Sequence, residues 1–248
     1  MRGFTLIEIA IVLVVIGLVV SGGLLAVSPV VQSAKISETK QKMARVETAL
    51  LAYVISNSCL PCPAVGATAS GAANAGQSQN NTPGFYTTGC AAGCQLLQGV
   101  VPWNTLGIAE EEASDGWGRR FSYALGAGVT ATSSMTRTTT LPTVTTSLTI
   151  QDPAGANLIT TNVAYAIISH GVDGSFGFAV NTGAVLADRY AQGALGVGQD
   201  VNGENTRTVA TGQVNNSNGT AYFDDLVTFR TAAQITLSCG AGSCGNPN

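Results

Sequence analysis

The sequence predicts an α+β fold: a long N-terminal α-helix, membrane-spanning in its first half, packed on an antiparallel β-sheet. Three observations predict it. Positions 9–34 form a run of 26 residues without a charge. Residues 32–57 then place apolar side chains at helical period. From Trp103 onward the chain breaks into short β-prone runs divided by Gly, Asp and Asn turns. The expected organisation is a helix through residue 57 and a β-rich head over 58–248.

Composition narrows the function classes. Charged residues make up 10% of the 248 residues and hydrophobic residues 45%, against about 25% charged in an average soluble domain. That apolar content can build a core, which excludes a disordered chain. The net charge is −3; residues 1–57 hold five basic and three acidic residues, and 58–248 hold six basic and eleven acidic ones. An acidic head repels phosphate backbones, so no nucleic-acid partner is expected. A single histidine leaves little room for His-based catalysis, and 30 glycines indicate a loop-rich body.

The uncharged run is about 39 Å long as a helix at 1.5 Å per residue. That is enough to cross a bilayer core of roughly 30 Å with some tilt. Gly17, Gly22, Gly23 and Pro29 interrupt it. The run is too long for a secretory h-region of about 7–15 residues, and only Met1-Arg2-Gly3 precedes Phe4. Glu8 is the only charge between Arg2 and Lys35. A carboxylate in a membrane segment costs about 2.5–3.5 kcal/mol at mid-depth, so it marks a functional position whose partner must be sought. Cleavage after Gly3 would create an α-amino group on Phe4, and a neighbouring copy could present that amine to Glu8.

Arg2-Gly3-Phe4-Thr5-Leu6-Ile7-Glu8 and the apolar helix behind it resemble the class III signal of type IV pilins and type II secretion pseudopilins. The resemblance implies that prepilin peptidase cuts between Gly3 and Phe4 and methylates the new amine. It implies that Glu8 pairs with a neighbour's amine during assembly. It further implies a leader at 1–3, a transmembrane and stalk helix at 4–57, and a periplasmic head. The protein would pass once through the bacterial inner membrane before joining a periplasmic or cell-surface filament. The three-residue leader is shorter than is usual in that family.

In the stalk, Ile36, Met43, Val46, Leu50 and Tyr53/Val54 form one apolar stripe for packing on a sheet. Pro61 and Pro63 end the helix. Residues 66–82 are almost all small and polar, which predicts an exposed, variable loop. The six cysteines, Cys59, Cys62, Cys90, Cys94, Cys239 and Cys244, read best as structural disulfides of an oxidising compartment. Cys239 and Cys244 are the best local pair, and the other four allow three connectivities. The C-x2-C…C-x3-C spacing also suits a zinc site, and Cys59-Leu60-Pro61-Cys62 has thiol-oxidoreductase spacing.

In the body, Phe121, Tyr123 and Leu125 alternate as a strand with one buried face. Residues 143–150 are Thr-rich and β-prone, and Asn162–Ser169, apolar on both faces, predicts a central strand. Residues 172–175 predict a hairpin turn into Phe176–Val180. Ala221–Arg230 and Ile235–Leu237 predict late strands. Glu110-Glu111-Glu112 predicts a solvated turn or helix start. The matches to N-x-[ST] at Asn80, Asn215 and Asn218 follow from composition.

Three head stretches also resemble the major pseudopilins: Asp115–Phe121, Ser169–Gly174 and Phe223–Val227. By that resemblance, Asp224 and Asp225 stand where calcium ligands would be. A Ser/His/Asp or Cys/His set could be assembled only around His170, which sits in an expected turn and reads as structural, so no enzyme is expected. The expected function is a structural subunit of a type IV pilus or type II secretion pseudopilus filament. The alternative is a minor or tip subunit whose head binds a surface or a secreted substrate. Expected partners are other pilin or pseudopilin subunits, prepilin peptidase and, before assembly, the inner membrane.

Overall fold

The computed structural model describes residues 5–82, 84–131, 134–135, 148–182, 197–204, 206–214, 222–239 and 244. Gly3, Phe4, positions 143–147, Ala221 and the Asn215 and Asn218 matches lie outside them. The chain divides into two compact units, Met1–Glu38 and Thr39–Asn248.

Helix α1 runs Leu6–Asn57, 52 residues, and contains Pro29. Between Leu6 and Ile16 its apolar side chains are largely exposed. Leu6 is 90% exposed and Leu13 64%, and Ile9, Ile11, Val12, Val14, Val15 and Ile16 are all about half exposed or more.

The expected membrane-spanning helix on one antiparallel sheet is corrected on two counts. Among the described residues no helix is long and apolar enough to cross a membrane. The single inner-membrane pass, and the localisation derived from it, are corrected with it. The apolar stretch whose side chains are described, Leu6–Gly17, is about 18 Å long as a helix, short of a bilayer core of roughly 30 Å.

The second correction concerns the sheet. The body has strands β1 (Gln98–Val100), β2 (Arg119–Arg120), β3 (Ser122–Leu125), β4 (Thr149–Gln151), β5 (Asn157–Ile159), β6 (Val163–Ser169), β7 (Phe178–Ala179), β8 (Thr208–Ala210) and β9 (Leu226–Thr231). They form three sheets, ordered β1-β3-β6-β9, β2-β7 and β5-β4-β8. The pair β4–β8 is parallel, and the others are antiparallel.

The central position expected for Asn162–Ser169 belongs to β6, which pairs with β3 and β9. Tyr165 and Ile167 join Met43, Val46, Leu50 and Val54 of α1 in one core, and Tyr123 and Leu125 of β3 lie in the same cluster. Ala124, Ala166 and Ile168 pack with Leu148, Ile150 and Val209 in a second core. Strand β3 is therefore buried on both faces. The sequence shows only one apolar face, because the second is made of small residues: Ala124 packs on Leu148, Ile150 and Val209, and Ser122 is buried beside His170.

Three local expectations change. Phe178–Ala179 pairs with Arg119–Arg120, so it does not fold back on β6 as a hairpin. Ile235–Leu237 lies in helix α4 (Ala232–Ser238), because Thr231 and Gln234 form a capping box. The two remaining helices are α2 (Trp103–Leu106) and α3 (Val197–Gly203), and Glu110–Ala113 forms a 3-10 turn.

The 66–82 segment is anchored, where an exposed loop was expected. Arg120, 1% exposed, donates through its guanidinium to the carbonyls of Gly66 and Thr68, both at 2.6 Å, and to Ser70 Oγ at 3.1 Å. The same group pairs with Glu110 at 2.7 Å and lies 4.8 Å above the Trp103 ring. The loop's small side chains leave its carbonyls accessible, and a buried arginine satisfies them.

Three substitutions test this packing. Arg120→Ala leaves Glu110 and two carbonyls without their donor in a buried place, so it should cost about 3–5 kcal/mol. Arg45→Ala breaks the exposed Arg45–Glu112 pair and should change stability by about 1 kcal/mol or less. Thermal melting of both variants checks the contrast. The Tyr123 hydroxyl is buried with no hydrogen-bond partner among the described residues. Tyr123→Phe should therefore raise Tm, by about 1 kcal/mol of stability; a lower Tm would reveal a partner such as a trapped water.

Candidate functional site

The start of α1 is the first candidate. Thr5 stands just before the helix, and its backbone N–H donates to Glu8 Oε2 at 3.0 Å. The Thr5 hydroxyl also donates to Oε2 at 3.0 Å, and Glu8 N–H donates to Thr5 Oγ1 at 3.4 Å. This is a reciprocal capping box, Thr-x-x-Glu, which satisfies donors that a helix start leaves open. The hydrogen bonds from Thr5, its backbone N–H first, hold the Glu8 carboxyl below the usual carboxylate range. Glu8 is solvent-exposed, so its negative charge remains accessible to a cation while it caps its own helix. The sequence signal is Thr5-Leu6-Ile7-Glu8 ahead of an apolar run, the Thr-x-x-Glu pattern of a capping box. The expected processing pair Gly3 and Phe4 lies outside the described residues.

The cysteines are consumed in three disulfides: Cys59–Cys90, Cys62–Cys94 and Cys239–Cys244. Two bridges tie the end of α1 to the far side of the 66–82 segment. Neither the zinc nor the thiol-oxidoreductase alternative remains, since no cysteine is free.

In the head, the three stretches that resemble pseudopilins meet in space. Asp115 Oδ1 accepts from the N–H groups of Trp117 and Arg119, both at 2.9 Å, which closes its turn. Its Oδ2 accepts from Ser169 Oγ at 2.9 Å, joining that turn to the end of β6. Arg119 donates to the carbonyls of Gly171 and Val172. Asp224 Oδ2 accepts from the N–H groups of Val172 and Asp173. Gly171 and Gly174 adopt left-handed φ of 57° and 68°, which a turn clamped this tightly demands. The lone His170 is buried, and its Nε2 shares a 2.7 Å hydrogen bond with Ser122 Oγ.

The residues at Asp224 and Asp225 do not fit a calcium ion. Calcium takes six to eight oxygens. Asp224 is engaged by the 172–173 backbone, while Asp225 accepts from Asn202 Nδ2 at 2.8 Å. Among the described residues no group of three His, Cys, Asp or Glu side chains could hold a metal. The two carboxylates brace different places, Asp224 the 172–173 turn and Asp225 the α3 residue Asn202.

Burial pushes the Asp225 carboxyl well above its usual range, against the lowering effect of the Asn202 hydrogen bond. Burial also raises Asp224. A carboxyl with a raised folded-state pKa holds its proton more tightly in the fold. Its stabilising contribution is complete at acid pH and is lost as pH rises from the unfolded value through the folded one. Asp225→Asn keeps an acceptor for Asn202 and removes the ionisation. Its Tm should exceed wild type at about pH 8 and match it near pH 4. Equal Tm differences at both pH values would contradict the burial effect.

No family model, no curated protein and no solved structure matches this chain.

Proposed function

We propose that the chain is a structural subunit of a filament of the type IV pilus or type II secretion pseudopilus kind, assembled through its N-terminal helix. The observation that carries this reading is the uncovered apolar surface of α1 between Leu6 and Ile16. An α-helix that is apolar on every side is stable only when something covers it. Other copies of the same helix supply a matching surface, and burial of about 25 cal/mol per Å² drives their association. The compact, disulfide-braced body is what such a helix would carry outward. Processing between Gly3 and Phe4 by a prepilin peptidase belongs to the same reading and rests on the Gly3-Phe4-Thr5-Leu6-Ile7-Glu8 signal.

Within this reading Glu8 has two tasks. It caps its own helix, and it offers a negative charge to the amine of a neighbouring copy. Glutamine can fill the same place in a capping box but carries no charge. Glu8→Gln should therefore keep the helix start and weaken assembly, as Glu8→Ala should. Sedimentation of assembled material, with the amount of each variant chain in the pellet, reads this. Wild-type assembly by Glu8→Gln alone would assign Glu8 to capping only. Wild-type assembly by both variants would remove Glu8 from the assembly mechanism.

A further inference from the structure

We infer that the head binds a single neutral sugar ring in a cavity of about 260 Å³ walled by Phe176, Phe178, Gln98, Ser122 and Glu204. The inference goes beyond the filament reading and does not rest on it. None of the residues lining the cavity belongs to α1, so the site stays available whatever covers that helix.

Size sets the first limit. Sites for drug-sized ligands run about 300–1,000 Å³, so this cavity suits one ring and not an oligomer. Its walls set the second. The Phe176 and Phe178 rings offer apolar faces, each resting on a glycine, Gly203 and Gly66, where an added Cβ would overlap the ring. Phe176 holds its ring there with a left-handed φ of 66°, which is unfavourable for a bulky side chain and persists only where the surroundings enforce it. A pyranose presents a C–H face to such a wall and hydroxyls at its rim.

The polar groups fit that rim. Ser122 Oγ is fixed by its 2.7 Å hydrogen bond with His170 Nε2. Gln98 is held by the backbone carbonyl of Asn202. Asn202 is in turn locked by Asp225 at 2.8 Å and by the Ala210 N–H at 2.8 Å, so the floor of the site is rigid. Glu204 lies at the exposed mouth, where a carboxylate accepts from two neighbouring hydroxyls. No lysine or arginine lines the cavity, which disfavours an anionic ligand. Apolar walls with a few fixed polar groups are the usual make-up of a small-molecule site.

Saturation-transfer NMR on the full chain, with D-glucose, D-galactose and D-mannose as probes, tests this. N-acetylneuraminic acid and glucosamine serve as charged comparators. At least one neutral hexose should receive saturation, chiefly on one face of the ring, and more strongly than either comparator. Phe178→Ala and Glu204→Ala should each weaken that binding by about tenfold or more. Glu204 is exposed, so its variant should keep the wild-type Tm even if Phe178→Ala does not fold. Sedimentation of Glu204→Ala should match wild type, which separates this site from assembly. No transfer to any of the three hexoses, tighter binding of a charged comparator, or unchanged binding in Glu204→Ala would overturn the proposal.

Discussion

One helix with two opposite surroundings governs this protein. In Thr39–Asn57 one apolar face of α1 is covered by its own body, and Val46, Leu50 and Val54 are 0% exposed, while Ile55 on another face is 45% exposed. In Leu6–Ile16 side chains of the same kind are about half exposed or more among the described residues. Burying a Val, Leu or Ile side chain is worth about 1.5–3 kcal/mol, so the uncovered segment has a large unused capacity for association. The filament reading follows from that contrast, and the helix-start capping box keeps the uncovered segment helical to its end.

The body solves a different problem. Its small, polar loop cannot hold itself in place by apolar contacts. Arg120 and two disulfides do so instead, one through charge-assisted hydrogen bonds and the others through covalent ties. The Asp115, Gly171–Gly174 and Asp224 turns are braced in the same manner, by side chains that reach backbone groups. These polar clamps fix the wall positions of the Phe176–Phe178 cavity as well.

Several of these features could be read in the sequence. Of the stripe Ile36, Met43, Val46, Leu50 and Tyr53/Val54, the members from Met43 onward lie in the covered face, because its period reports burial, whereas Ile36 is only half-buried. The central position of β6 was legible in its apolarity on both faces. Other features were not. The covering of β3's second face depends on a distant layer that small residues do not announce. The α4 helix hid behind β-prone Ile235 and Leu237, with only the Thr231–Gln234 capping pair to reveal it. Arg120 gave no sign of its burial, since an arginine pair beside a turn ordinarily lies in solvent. At the candidate site, Glu8 stood out by its isolation, whereas its partner Thr5 was overlooked for being too close.

The central claim is that other copies of this chain cover Leu6–Ile16. A photo-crosslinking amino acid at position 13, in assembled material, tests it most directly. The account predicts a product of two chain masses whose adduct maps to residues 6–16 of the second copy. Cross-links only to lipid or to an unrelated protein would contradict it.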